Sequence, residues 1–69
     1  MPKFWRKYLE LKAGIVNLKT GTAFRCVIWQ QKREFLVLRN AEILTEGNQK
    51  KLDGEVVVQL SEVEFIQVI

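Results

Sequence analysis

Cys26 is the one thiol in a 69-residue chain that has no histidine, and those two facts remove most side-chain chemistry at once. A single cysteine forms no internal disulfide and cannot build a zinc site without further ligands. It alternates with Phe24 and Ile28 and reads as a small buried apolar residue. Ser61 stands beside Glu62 in a short turn pattern with no base at hand, and a turn former is the simpler reading. Glu34, Glu42, Glu46, Asp53, Glu55, Glu62 and Glu64 are dispersed, and no spacing ties two of them to one cleft. There is no glycine-rich phosphate loop. The expectation is a protein that is not an enzyme and needs no metal or cofactor.

Binding chemistry remains. Lys3, Arg6, Lys7 and Lys12 crowd the N-terminal segment, and Lys32 and Arg33 directly precede the Glu34–Phe35 pair. Cations of this kind hold phosphate without reading sequence, and an exposed ring such as Phe35 can stack a base. Trp5 and Trp29 are further stacking options, although packing is the commoner role for both: helix-to-barrel for Trp5, cross-strand contact near a turn for Trp29 and Phe35. The charge is polarised along the chain. Residues 1–33 hold eight Lys/Arg against one Glu, and residues 34–69 hold three against seven Asp/Glu. A basic N-terminal half is a candidate anion-binding face, with a merely solvated surface as the plainer alternative.

These groups need a scaffold. Pro2 followed by Phe4, Tyr8 and Leu11, widened by Trp5 and Leu9, predicts a helix over about 3–12 with Gly14 placed to end it. Ten residues do not stay helical alone, so the stripe must rest on the rest of the fold; a membrane-surface helix is the rival reading. Five strand patterns follow at 14–19, 22–30, 34–44, 55–60 and 63–68. Val16 and Leu18, then Phe24, Cys26 and Ile28, then Leu36 and Leu38 mark inward faces by their period of two. Phe35, Val37 and Arg39 take the outer face of the third strand. Thr20-Gly21 signals a hairpin, Asn40-Ala41 a bend in the long third strand, residues 46–49 a turn and 50–54 a mobile polar loop. The fold expected is all-β with a short N-terminal helix: a single domain, 1–69, whose five strands make a small, strongly bent antiparallel barrel of the SH3 type over 14–69. No stretch approaches the ~18 apolar residues of a membrane span, so no membrane partner is expected and the location expected is cytoplasmic.

A core this small supplies only ~3–5 kcal/mol, and with no disulfide or metal the remaining support is self-association. Val56, Val57 and Val58, and Phe65, Ile66 and Val68, are apolar strand residues with little edge protection. They are the expected seam between copies, since an uncovered edge of this kind aggregates. Pairing within a monomeric barrel is the competing account.

The ordered set of residues 14–21 (GIVNLKTG), 23–28 (AFRCVI), 36–42 (LVLRNAE) and 54–66 (GEVVVQLSEVEFI) resembles the two motifs of the Sm/Sm-like superfamily over nearly the whole chain. That resemblance implies a ring of five to seven subunits, with the fourth strand pattern of one pairing with the fifth of the next, and RNA as a partner. It does not carry over the family's uracil pocket. Phe35 stands where the family has Asn, no Asp precedes it, Gln59-Leu60 replaces Arg-Gly, and Cys26 replaces a glycine of the second strand. The function expected is therefore a ring-forming homo-oligomer holding RNA or DNA loosely through Lys3, Arg6, Lys7, Lys12, Lys32, Arg33 and Phe35. The alternative is a scaffolding ring that binds protein, suited to a phage particle or its assembly and then located in the virion.

Overall fold

The computed structural model describes residues 9–45 and 47–69. Six strands follow in chain order: β1 (Ala13–Leu18), β2 (Ala23–Lys32), β3 (Phe35–Thr45), β4 (Asn48–Lys51), β5 (Val56–Gln59) and β6 (Val63–Val68). One 3-10 turn, Leu60–Glu62, precedes β6. Every ladder is antiparallel, and the sheet runs β4-β3-β2-β1-β6 with β5 also on β3. Val16, Phe24, Cys26, Ile28, Leu36 and Leu38 are all buried, as their period of two predicts. Leu9, Ala41 and Val58 complete that core.

Bending makes this sheet a barrel. Asn40 has φ 52°, a left-handed conformation that asparagine tolerates better than most residues, and it turns β3 in mid-strand. On one side β2 follows the bend with irregularities between Arg25 and Val27 and between Ile28 and Gln30. On the other side the partner strand breaks. β5 pairs with Phe35–Leu38 and β4 with Glu42–Thr45, while Leu52 N–H donates to Ala41 C=O at 2.8 Å between them. The break is clamped from outside, where Arg39 Nε donates to Glu55 Oε2 at 2.8 Å and its guanidinium lies 3.7 Å over the Trp29 ring.

Two of these expectations change here, and a third falls largely beyond what the described residues show. The five strand patterns become six strands, because β4 occupies the stretch read as a turn and mobile loop. Its four residues are all exposed, so it pairs through backbone alone and shows no apolar alternation. Trp29 and Phe35 do not face each other across the hairpin: Phe35 opposes Lys32, and Trp29 sits in the irregularity after Ile28, beneath Arg39. The expected helix falls largely outside the described residues. Its visible end is Leu9, which is buried, and Leu11 at φ 67° turns the chain out of it. Leu11 N–H donates to Ile28 C=O at 2.6 Å, and Ile28 N–H donates to Lys12 C=O at 2.9 Å.

Gly14 therefore terminates nothing; it lies buried inside β1. A Cβ there would come 2.7 Å from the backbone oxygen of Gln67 on β6. Gly14→Ala forces the two strands apart, and we expect a loss of about 1–3 kcal/mol in urea unfolding; an unchanged midpoint would mean β6 has room to give. The Arg39 clamp is half-exposed, so its ion pair is worth little and the ring contact about 0.5–1 kcal/mol. Arg39→Ala should cost less than about 1.5 kcal/mol in total, yet speed amide exchange at Leu52; unaltered exchange would show that the break is held otherwise.

Candidate nucleic-acid interface and strand edges

Two connections meet at one end of the barrel. The Arg33-Glu34 turn, with Arg33 at φ 56°, meets the Leu60–Glu62 turn, and Leu60 N–H donates to Glu34 C=O at 2.8 Å. The register beside them pairs Phe35 with Gln59. Between the turns lies a pocket of about 310 Å³ lined by Glu34, Gln59, Leu60 and Ser61. Among the described residues it offers a carboxylate, an amide and a hydroxyl, with no cation and no ring. Such a set can hydrogen-bond a polar group, but it repels phosphate and stacks nothing. The amide of Gln31 braces the turn, donating from Nε2 to Arg33 C=O at 3.3 Å, while its Oε1 is buried without a partner.

A second concavity of about 510 Å³ lies on the outer face of β2, β3 and β5. Val37 and Val57 are directly paired there and Phe35 adjoins them, making an apolar floor beside Lys32 and Arg33. Phe35 is 40% exposed and Val57 57% exposed, while Val37 is buried although it faces outward. Neither Lys32 nor Arg33 has an ion pair among the described residues.

The free edges differ in character. Among the described residues β5 pairs only with β3, and β6 only with β1. On β5, Val58 belongs to the subunit's own core, Val56 is half-buried against it and Val57 projects outward. On β6, Ile66 rests on the core, whereas Phe65 is 51% exposed and Val68 partly so. The outer edge of β4 carries Asn48, Gln49, Lys50 and Lys51, a polar, lysine-bearing edge of the kind that discourages pairing.

The structure thus gathers Lys32, Arg33 and Phe35 on one surface and places Val57, Phe65 and Val68 on strands that each have one edge unpaired among the described residues. Lys3, Arg6 and Lys7 lie outside the described residues. Lys12 is exposed just ahead of β1. The sequence reading missed the pocket formed by Glu34 and Ser61 with Gln59. The pairing of Phe35 with Gln59 was its signal, and that pairing becomes visible only once register is known.

No family model and no curated protein sequence matches the chain. Solved structures do. A heptameric archaeal Sm protein superposes with a TM-score of 0.80 at 26% identity, covering 91% of this chain and 93% of that one. The P. aerophilum SmAP1 heptamer gives 0.81 at 26% identity, covering 91% and 85%. The Pyrococcus abyssii Sm protein, solved in complex with a uridine heptamer, gives 0.82 at 25% identity, covering 100% and 99%. The chain has the Sm-like fold.

Cys26, the chain's one thiol, is buried as its alternation predicts, and burial raises its pKa from 9.0 to about 11. At neutral pH it is a thiol, not a thiolate. Between pH 9 and 11 the unfolded chain gives up this proton while the folded chain keeps it. Stability is therefore intact below pH 9 and falls as pH rises through that window. A disulfide reagent at pH 8 should label the native protein at least about tenfold more slowly than the urea-unfolded chain; equal rates would contradict a closed core around Cys26.

Proposed function

We propose that this Sm-fold chain works as a closed ring of identical subunits, β5 of one copy pairing with β6 of the next, and that the ring holds single-stranded RNA without reading its sequence. The observation that carries the ring is the pair of unpaired, apolar edges, Val57 on β5 and Phe65 on β6, beside a β4 edge blocked by lysines. A head-to-tail contact that closes leaves no edge free. The solved structures of similar fold support it, since two are heptamers and one is bound to a uridine heptamer. Five to seven subunits is the range proposed.

The lack of base reading rests on the pocket between the two turns, where Glu34, Gln59, Leu60 and Ser61 provide neither a stacking ring nor a cation. Affinity then comes from phosphate contacts, and Lys3, Arg6, Lys7 and Lys12 supply four cations per subunit in a short segment. The carboxylate in that pocket favours one other reading, a structural ring that docks protein and no nucleic acid, as in a phage particle.

Light scattering and titration with labelled single-stranded RNA at about 50 mM salt test both parts. The expected outcome is a ring mass, equal affinity for oligouridine and mixed sequence, and binding that weakens steeply with salt. Replacing Lys3, Arg6 and Lys7 by Ala should cost at least about tenfold in affinity. Absence of binding at low salt selects the protein-docking ring. Val57→Lys should reduce the mass, and an unchanged mass would place the seam on another edge.

A further inference from the structure

The outer-face groove is continuous with the free edge of β5. Val57 pairs with Val37 on one side, and on its other side none of the described residues pairs with it. Phe35 opposes Gln59 at the C-terminal end of β5, and Lys32 opposes Phe35, so this end of the edge is the cationic one. The two nearby carboxylates do not cancel it. Glu55 also lines the groove, but at its far end and bound by Arg39, and Glu34 lines the pocket against Leu60 and Ser61.

The edge of β6 has the reverse character. Ile66 opposes the buried Val16 and packs inward, whereas Phe65 opposes Asn17 and turns outward. Glu62 and Glu64, both exposed, precede Phe65, and residues 60–69 contain no lysine or arginine. One edge thus presents an apolar groove with two cations, the other a protruding ring with two carboxylates.

Resting on the ring reading, we propose that the groove floored by Phe35, Val37 and Val57 is the socket for Phe65 of a second copy, with Lys32 and Arg33 facing Glu62 and Glu64 across the seam. Charge also selects the strand direction. Antiparallel pairing sets the start of β6 against the end of β5, where the cations are. Parallel pairing would bring Glu62 and Glu64 to the Glu55 end instead. The same cations and ring could hold a nucleotide, but a nucleotide leaves the backbone N–H and C=O groups of the β5 edge unpaired, and a strand satisfies them. Every copy offers one socket and one knob, so the contact repeats from subunit to subunit. Lys32, Arg33 and Phe35 therefore serve assembly, and nucleic acid is left to the N-terminal cations.

Charge exchange tests this. Lys32→Glu with Arg33→Glu, and separately Glu62→Lys with Glu64→Lys, should each weaken assembly at least tenfold and shift the light-scattering mass toward a single chain. All four substitutions together should restore the wild-type mass, because opposite charges again face each other. Retained mass in both double variants, or no recovery in the fourfold variant, overturns the socket while leaving the ring standing. So does a double variant that keeps its mass and loses RNA binding, which would make the groove a nucleotide site. A wild-type protein of single-chain mass removes the ring itself. As a check independent of charge, Val57→Cys with Phe65→Cys should give an intermolecular disulfide ladder under a mild oxidant, because these strands are direct neighbours across the seam, and Asn17→Cys with Val57→Cys should not. A ladder absent from the first pair overturns the proposal.

Discussion

Backbone hydrogen bonding along β5 and β6 is the constraint on which the rest of this molecule depends. Among the described residues each strand satisfies one side, β5 on β3 and β6 on β1, and leaves a row of donors and acceptors on the other. Buried or half-buried apolar strands cannot leave such rows to chance, because an open edge templates uncontrolled pairing. β4 meets the same problem with exposed polar and lysine side chains. The side chains of β5 and β6 do the opposite and invite a partner. The contrast between guarded and unguarded edges within one sheet is the basis of the proposed assembly.

The edges face as they do because β3 bends. Asn40 takes a left-handed conformation, β2 answers with two irregularities, and the strand on the other side splits into β4 and β5. The bend carries Leu36 and Leu38 into one end of the core and Ala41 into the other. It also brings the Arg33-Glu34 turn to the Leu60–Glu62 turn, so the pocket between them is a consequence of the fold and not of either loop alone. The Arg39–Glu55 pair and the Trp29 ring hold the split from outside. Close approach of β6 to β1 at Gly14 fixes the other free edge.

The resemblance to solved Sm proteins therefore concerns the scaffold, and the residues on it diverge. The pocket between the two turns holds Glu34, Gln59 and Ser61, groups that bind polar partners but neither stack nor attract phosphate. The cations sit elsewhere in the chain. Lys32 and Arg33 are on the outer face with Phe35, while Lys3, Arg6 and Lys7 belong to the N-terminal segment. The polar pocket and the Lys32–Arg33 cations thus occupy separate surfaces, and the proposed binding without sequence preference rests on that separation.

Alternation alone located β1, β2, β3, β5 and β6 to within a few residues, because each buries one face and burial writes a period of two into Val16, Phe24, Ile28, Leu36 and Val58. The lone buried thiol, the Asn40 bend and the apolar character of β5 and β6 were legible for the same reason: each is a local property of residue type. β4 was not legible, since a strand whose side chains are all in solvent leaves no pattern. Gly14 was misread because the atom that demands glycine, the Gln67 oxygen, lies 53 residues away in the chain. The burial of the outward-facing Val37, the pocket shared by Glu34 and Ser61, and the placing of Lys32 and Phe35 beside the β5 edge likewise depend on register. Register is a relation between distant segments, so it exists only when the chain is folded.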